Sequence, residues 1–300
     1  MATEKAAPVP AGDVEVTPPV FSPPQRPNLG SLGDARVSLV AGADAARRST
    51  AVDLRYMRRS DTASRLKRNP LYGTGLMRPT SCRVPRPSAQ ARDMLAYLNG
   101  ATDCMDRAWA AKFSQAGALF LQPRRVFWSR PGRGPCGTYP ASGSSAHYCP
   151  SNRGMYIGLD HVIQQSDRID PARNHVPYLT VLAHEYGHHV QSMAGIGGAW
   201  WWEVSNKSRA LQDAHSRRHE LQAQCFAGVF VRTVRGSLGV TNARWREVLR
   251  TEYGRGDDRN GNPRRDHGNG EHYAAWIHQG WKYARIAYCN TWVVPPSQVS

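Results

Sequence analysis

Five consecutive residues, His184-Glu185-Tyr186-Gly187-His188, form an H-E-x-x-H pattern whose spacing is that of a metal site. Residues four apart share one face of a helix, so His184 and His188 can offer two imidazole nitrogens to one ion. Glu185 lies about 100° further round, where it reaches a water on that ion without being a ligand. Zinc suits such a set, because it takes imidazole and carboxylate donors in a tetrahedron and can keep one position open for water. Two histidines hold zinc weakly, so a catalytic site takes a third protein ligand. The segment Glu220-Leu221-Gln222-Ala223-Gln224 offers Glu220 from a second helix, with His215 and His219 as competitors.

The pattern needs a helix with a buried face. Leu179, Leu182, Ala183, Tyr186, Val190 and Met193 make an apolar stripe at helical spacing and predict a helix over 177–193. Pro177 suits its first position and Gly195 its end. Further helices are expected over 205–234, over 241–253 with Thr241 as N-cap, and over 269–288 with Tyr273, Trp276, Ile277, Ala284 and Ala287 on one side. Upstream, residues 88–116 carry Met94, Leu95, Leu98, Met105, Trp109 and Phe113 at helical spacing, with Asn99-Gly100 as a break point. Residues 117–150 are rich in Gly, Pro and Ser with a short strand at 125–129, and 154–160 reads as a strand. There is no internal repeat. The expected fold class is α+β, mainly helical, with a small sheet beside the metal helix.

The first 80 residues read differently. Residues 1–30 are rich in Pro, Ala and Val without periodicity. Residues 31–80 carry Arg47, Arg48, Arg55, Arg58, Arg59, Arg65 and Arg68. Such a run is first a solvated basic tail and second a tether to an anionic surface or polymer. The expected division is a disordered, basic segment 1–80 and a folded domain 81–300 that begins near Cys82.

Over 300 residues the chain has 39 basic and 23 acidic side chains, a net charge of +16, and only five of the bases are lysine. The charge favours polyanionic neighbours. A nucleic-acid-binding protein acting through the basic N-terminal segment is therefore a third reading, but no helix-turn-helix, zinc-finger spacing or RNA-recognition motif accompanies the charge, so no specific nucleic-acid partner is expected. The six cysteines, Cys82, Cys104, Cys136, Cys149, Cys225 and Cys289, form no C-x-x-C. Their even count fits three disulfides in an oxidising compartment, outside the cell or in its envelope. The opening MATEKAAPVP is not a signal peptide, and no apolar run is long enough to span a membrane, so the export segment is expected to lie outside this sequence.

Several segments in order resemble the bacterial neutral zinc metallopeptidases. Ala183–Gln191 (AHEYGHHVQ) is similar to that family's metal helix, and Glu220–Gly228 (ELQAQCFAG) to its E-L-Q-A-D-C-F-A-G segment. Tyr148-Cys149-Pro150 with the strand that follows, Gly256-Asp257-Asp258-Arg259, His267-Gly268, Trp276, Gly280 and Cys289-Asn290-Thr291-Trp292 extend the resemblance over Cys82 to Trp292. It implies a zincin-like metallopeptidase domain, with Zn2+ held by His184, His188 and Glu220 and with Glu185 as general base. Peptide or protein substrates would be cleaved by a metal-activated water. His267 is the expected donor to the tetrahedral oxyanion, with a structural role in the loop before the last helix as its alternative.

Two positions depart from the family pattern. Gln224 stands where the family has an aspartate that orients a ligand imidazole, and Tyr273 stands where it often has a basic residue. Loss of such an outer partner costs about 10–100-fold in metal affinity or activity. The competing reading is therefore a weakly active or inactive zinc-binding scaffold of the envelope. The cysteines are expected to pair in sequence order, Cys82–Cys104, Cys136–Cys149 and Cys225–Cys289, one of 15 connectivities. Lesser features are read as structural: His189 as a surface or packing residue, Tyr156 as core, and Trp200-Trp201-Trp202 as a cover over a helix end. The oxygen-rich 257–262 loop lacks the spacing and closing glutamate of an EF-hand.

Overall fold

The structure, a computed structural model, describes residues 59–300 apart from 141–143, 145, 166–168 and 262. Eight helices are described: α1 (Arg59–Lys67), α2 (Ala91–Gln115), α3 (Leu159–Gln165), α4 (Val176–Met193), α5 (Ile196–Val204), α6 (Arg209–Thr233), α7 (Asn242–Gly254) and α8 (Gly270–Tyr283). The strands are β1 (Arg124–Trp128), β2 (Gly132–Gly134), β3 (Gly137–Tyr139), β4 (Ala146–Cys149) and β5 (Gly154–Gly158). β5 is the buried centre of a three-stranded sheet, parallel to β1 and antiparallel to β4, and β2–β3 is a separate hairpin. The fold is thus the expected α+β type, mainly helical, and its sheet packs beside α4.

α6 is the hub. From Leu221 to Val231 every residue is buried, the mark of a helix enclosed on all sides. α4 crosses it on one side and α8 on another. The α6–α8 contact is made at backbone distance, because a Cβ on Gly228 would lie 2.0 Å from the Ile277 carbonyl and one on Gly280 would lie 2.0 Å from the Cys225 carbonyl. The α4–α6 contact is similar at Gly187, where a Cβ would sit 2.8 Å from the Ala223 carbonyl. The glycine inside the H-E-x-x-H pattern therefore lets the two helices approach.

α4 is fixed on its other faces by polar contacts. Tyr186 donates to Asp106 Oδ1 of α2 at 2.6 Å, and Asp106 Oδ2 accepts from Arg125 of β1 at 2.7 Å. His189 is fully buried; its Nε2 donates to the Leu121 carbonyl at 2.7 Å and its Nδ1 accepts from Tyr148 of β4 at 3.1 Å. Burial holds His189 neutral, with its pKa lowered to about 4. Its role is packing, not surface, because the sheet and the 116–121 turn cover the face that a lone amphipathic helix would expose. Tyr156 is core, as expected, at 4% exposure.

All three disulfides join the cysteines in sequence order. Cys225–Cys289 ties α6 to the short turn after α8, and three bridges are what an oxidising environment favours. Among the described residues no helix is long and apolar enough to cross a membrane.

Several boundaries differ from the sequence expectation. Packed structure starts before Cys82: Leu66, Leu71, Tyr72 and Met77 all join the main core, and α1 packs on α5. Arg47, Arg48, Arg55 and Arg58 lie outside the described residues. α2 runs unbroken through Asn99-Gly100. The strand at 154 ends at Gly158, where α3 begins. The expected helix over 205–234 is preceded by a distinct helix, α5, that contains the three tryptophans; only Trp200 is partly covered, while Trp201 and Trp202 are 54% and 42% exposed. α8 stops at Tyr283, because Ala284 adopts a left-handed conformation (φ 47°) and the chain then pairs Arg285 with Leu76.

Candidate metal centre

Helix spacing puts His184 and His188 on one face of α4, and the α4–α6 crossing brings Glu220 opposite them. Glu220 Oε2 lies 3.2 Å from His184 Nε2 and 3.1 Å from His188 Nε2, and the two imidazole nitrogens are 3.1 Å apart. These three are the donor group expected for a metal. His215 packs on Trp292 instead, and His219 comes no nearer to Glu220 than 3.9 Å through Nδ1, so neither competitor joins the set.

The hydrogen bonds behind the ring fix the tautomers. Gln224 Nε2 donates to Glu252 Oε2 at 2.8 Å, which turns Gln224 Oε1 towards His184 Nδ1, also at 2.8 Å. Gln191 Nε2 donates to the His219 carbonyl at 2.8 Å, which turns Gln191 Oε1 towards His188 Nδ1 at 2.9 Å. In their neutral form both imidazoles therefore carry the proton on Nδ1 and point a bare Nε2 lone pair at the other and at a carboxylate. Three lone pairs converging at this range repel unless a cation sits among them. A tetrahedron with bonds of about 2.0 Å has edges of about 3.3 Å, so the observed separations fit zinc.

The electrostatics agree. Burial works against charge on His188, but the Glu220 carboxylate outweighs it and raises the imidazole above its ordinary value. Burial likewise opposes charge on Glu220, yet His188 and His184 hold it well below the usual carboxylate range. The pair is thus built around one positive charge. Glu185 is 7% exposed, and its Oε2 is buried without a hydrogen-bond partner among the described residues.

The surroundings contain residues that the sequence reading placed elsewhere or missed. His219, kept neutral by burial with its pKa lowered to about 4, is stacked between His188 and Trp200, with centroids 4.9 and 4.5 Å away. His147 of β4 stacks on Tyr156 and is lowered by burial, with the Glu185 carboxylate acting in the opposite sense. Tyr273 of α8 lies 6.1 Å from His184, ring to ring, and burial, helped by Glu252 and Glu220, raises its phenol well above its ordinary value.

His267 sits in the loop before α8 and is half-exposed. Partial burial opposes its charge, but hydrogen bonds to Asp257 and Asp266 outweigh it and raise its pKa, with Glu220 adding to the effect. Its Nδ1 is 2.9 Å from Asp266 Oδ1, and its backbone N–H donates to Asp257 Oδ2 at 2.7 Å. Asp257 also accepts from the Gly268 N–H at 2.9 Å, and Asp258 from the Gly270 N–H at 2.7 Å. The acidic residues of this loop thus shape the entry to α8.

Parts of this chain are similar to known proteins. "Uncharacterized protein YpfJ" of Escherichia coli K12 is 30% identical over 191 residues, which cover 61% of this chain and 66% of that protein. "Uncharacterized protein Rv2575" of Mycobacterium tuberculosis and "Uncharacterized protein Mb2605" of Mycobacterium bovis are 35% identical over 112 residues, 35% of this chain and 34% of theirs. The match spans just under two thirds of the Escherichia coli relative. No solved structure matches the chain. A family profile does match, over residues 73–292, and takes in α2 to α8 and every member of the centre; the chain belongs to the family described as "Putative neutral zinc metallopeptidase".

Proposed function

We propose that this chain is a zinc-dependent peptidase that hydrolyses peptide bonds outside the cell or in its envelope. The observation that carries the proposal is the convergence of His184 Nε2, His188 Nε2 and Glu220 Oε2 beside an unpartnered Glu185 carboxylate oxygen. Zinc held by these three residues would polarise the attacking water and the scissile carbonyl. Glu185 takes the proton of that water as it attacks and passes it to the leaving amine. His267, kept charged by its two aspartates, is our candidate donor to the developing oxyanion, and the protonated phenol of Tyr273 adds a neutral donor on the α8 side. The basic N-terminal segment would serve as a tether to an anionic surface or polymer.

The test is metal content and casein cleavage by the purified full chain, before and after a chelator, with Glu185→Gln alongside. We expect stoichiometric zinc and chelator-sensitive cleavage. Glu185→Gln should retain the zinc and lose about 10²–10⁴-fold in turnover, the usual contribution of a general base. Zinc bound without chelator-sensitive cleavage of any tested peptide would overturn the peptidase and leave a zinc-binding scaffold.

A further inference from the structure

We propose that Glu252 of α7 is the anionic anchor of the metal centre and acts on His184 through the Gln224 amide. Glu252 is then a positioning residue, and the inference rests on the zinc site proposed above. A ligand imidazole almost always gives its second N–H to a carboxylate, a carbonyl or a water, which fixes its tautomer and raises its basicity. Here His184 Nδ1 meets an amide carbonyl, which looks like a loss of charge. The negative charge is one link further out. Gln224 Nε2 donates to Glu252 Oε2 at 2.8 Å, while Glu252 Oε1 accepts from Thr180 at 2.7 Å and from Arg255 at 2.8 Å.

Burial and direction give this chain of contacts its force. Gln224 and Glu252 are each 1% exposed, so water does not compete for either. An amide that donates to a carboxylate becomes a stronger acceptor at its oxygen, a cooperative gain of about 10–30% per bond. The carboxylate also decides the orientation of the amide: only Oε1 can face His184 once Nε2 is claimed. Thr180 and His184 are successive turns of α4, so the motif helix grips both ends of the relay. The same geometry explains why position 224 is not acidic. A second carboxylate there would face Glu252 at hydrogen-bond distance with no proton between them. Gln224 and Glu252 are therefore a matched pair that moves the usual aspartate charge outward.

The test compares Glu252→Gln with the exchange Gln224→Glu/Glu252→Gln in the full chain. The exchange keeps every hydrogen bond: the carboxylate introduced at 224 accepts from His184 and from the amide introduced at 252, whose oxygen still accepts from Thr180 and Arg255. Zinc affinity is read by competition with a chromophoric chelator. The His184 Nδ1–H resonance is read by NMR of zinc-loaded protein, and near-ultraviolet circular dichroism checks the fold. We expect Glu252→Gln to weaken zinc binding about tenfold, the lower end for an outer partner, and to move the Nδ1–H resonance upfield. The exchange should restore affinity to within about twofold of wild type, on the same outer-partner logic. Unchanged affinity and resonance in Glu252→Gln would sink the relay alone. So would a loss that the exchange does not restore, since Glu252 would then be a packing partner of Arg255 and Thr180. A wild-type chain with no zinc affinity would instead sink the metal centre, and the relay with it.

Discussion

Gly187→Ala tests whether the α4–α6 approach sets the metal geometry. The added methyl carbon would lie 2.8, 3.0 and 3.1 Å from the carbonyl oxygen, Cα and Cβ of Ala223, whereas ordinary contact begins at 3.4 Å. Two of these atoms are backbone, so the helices must part by about 0.6 Å along that line. Ala223 is three residues beyond Glu220, so the strain falls within one turn of the ligand. Overpacking of this kind costs about 1–3 kcal/mol, offset by the roughly 1 kcal/mol that alanine gains over glycine inside a helix. The metal-free protein should therefore lose only about 0–2 kcal/mol, the difference between those two terms. The zinc form bears a further cost, because Glu220 must leave its rotamer to keep its oxygen 3.1–3.2 Å from both imidazoles. An off-rotamer side chain costs about 0.5–1.5 kcal/mol, which is a roughly two- to tenfold loss of zinc affinity. Chelator competition measures the second term and thermal unfolding with and without zinc the first. Gly197→Ala is the control, since its methyl would meet nothing closer than 3.5 Å. If Gly187→Ala bound zinc as tightly as wild type and gained the stability that the control gains, the helix approach would not be what sets the ligand spacing.

Three further outcomes follow from the contacts described. Asp106→Ala strands the buried Tyr186 hydroxyl and leaves Arg125 with Asp103 and Asn99 alone, and should cost about 1–3 kcal/mol in urea unfolding, the usual penalty for a buried donor left unsatisfied; a change below about 1 kcal/mol would refute the anchor. Replacing both Cys225 and Cys289 by alanine opens a link across 64 positions, and chain entropy predicts a loss of about 4 kcal/mol; the same loss should appear on reduction of that bridge, and unchanged unfolding midpoints would contradict it. Burial, reinforced by Arg244, lowers His175 to about 4, so the fold excludes a proton that the unfolded chain accepts below its ordinary value of 6.5. Its contribution is therefore complete above about pH 6.5 and is lost as pH falls towards 4. His175→Gln should flatten the stability profile over that window, and an unaltered slope in urea titrations would show that another group is responsible.

What was legible in the sequence was local. His184, Glu185 and His188 belong to one helix whose apolar stripe is explicit, and the Thr241 cap that opens α7 accepts from the Arg244 N–H as its residue type suggests. Glu220 was reachable because its own helix carries it to the α4 crossing. Gln224 could be seen as odd but not explained, because Glu252 lies 28 residues away on another helix and no periodicity links them. The buried state of His189 was hidden for the same reason: helix geometry turns it away from the metal, but only the sheet and the 116–121 turn decide whether that face meets water. α5 was missed because Gly197 and Gly198 give its first turn low helix propensity, which burial of Ile196 and Ala199 overrides. The early start of the fold was hidden by arginines and prolines around a few core residues such as Leu66 and Leu71, too sparse to show a period.

The disulfides carry a consequence for biogenesis. Each cysteine is bonded to its nearest unpaired neighbour in the chain. A polypeptide delivered N-terminus first into an oxidising compartment can close every bridge as soon as the second partner emerges, and at no stage does a completed bridge need to be reopened. The slow reshuffling that follows a wrong early pairing, seconds to hours per event, is absent from the shortest route to this fold. The last bridge, Cys225–Cys289, can close only after α6, α7 and α8 have emerged. Both Glu220 and Glu252 have by then been delivered, so the hub helix is locked only once these two acidic residues are present.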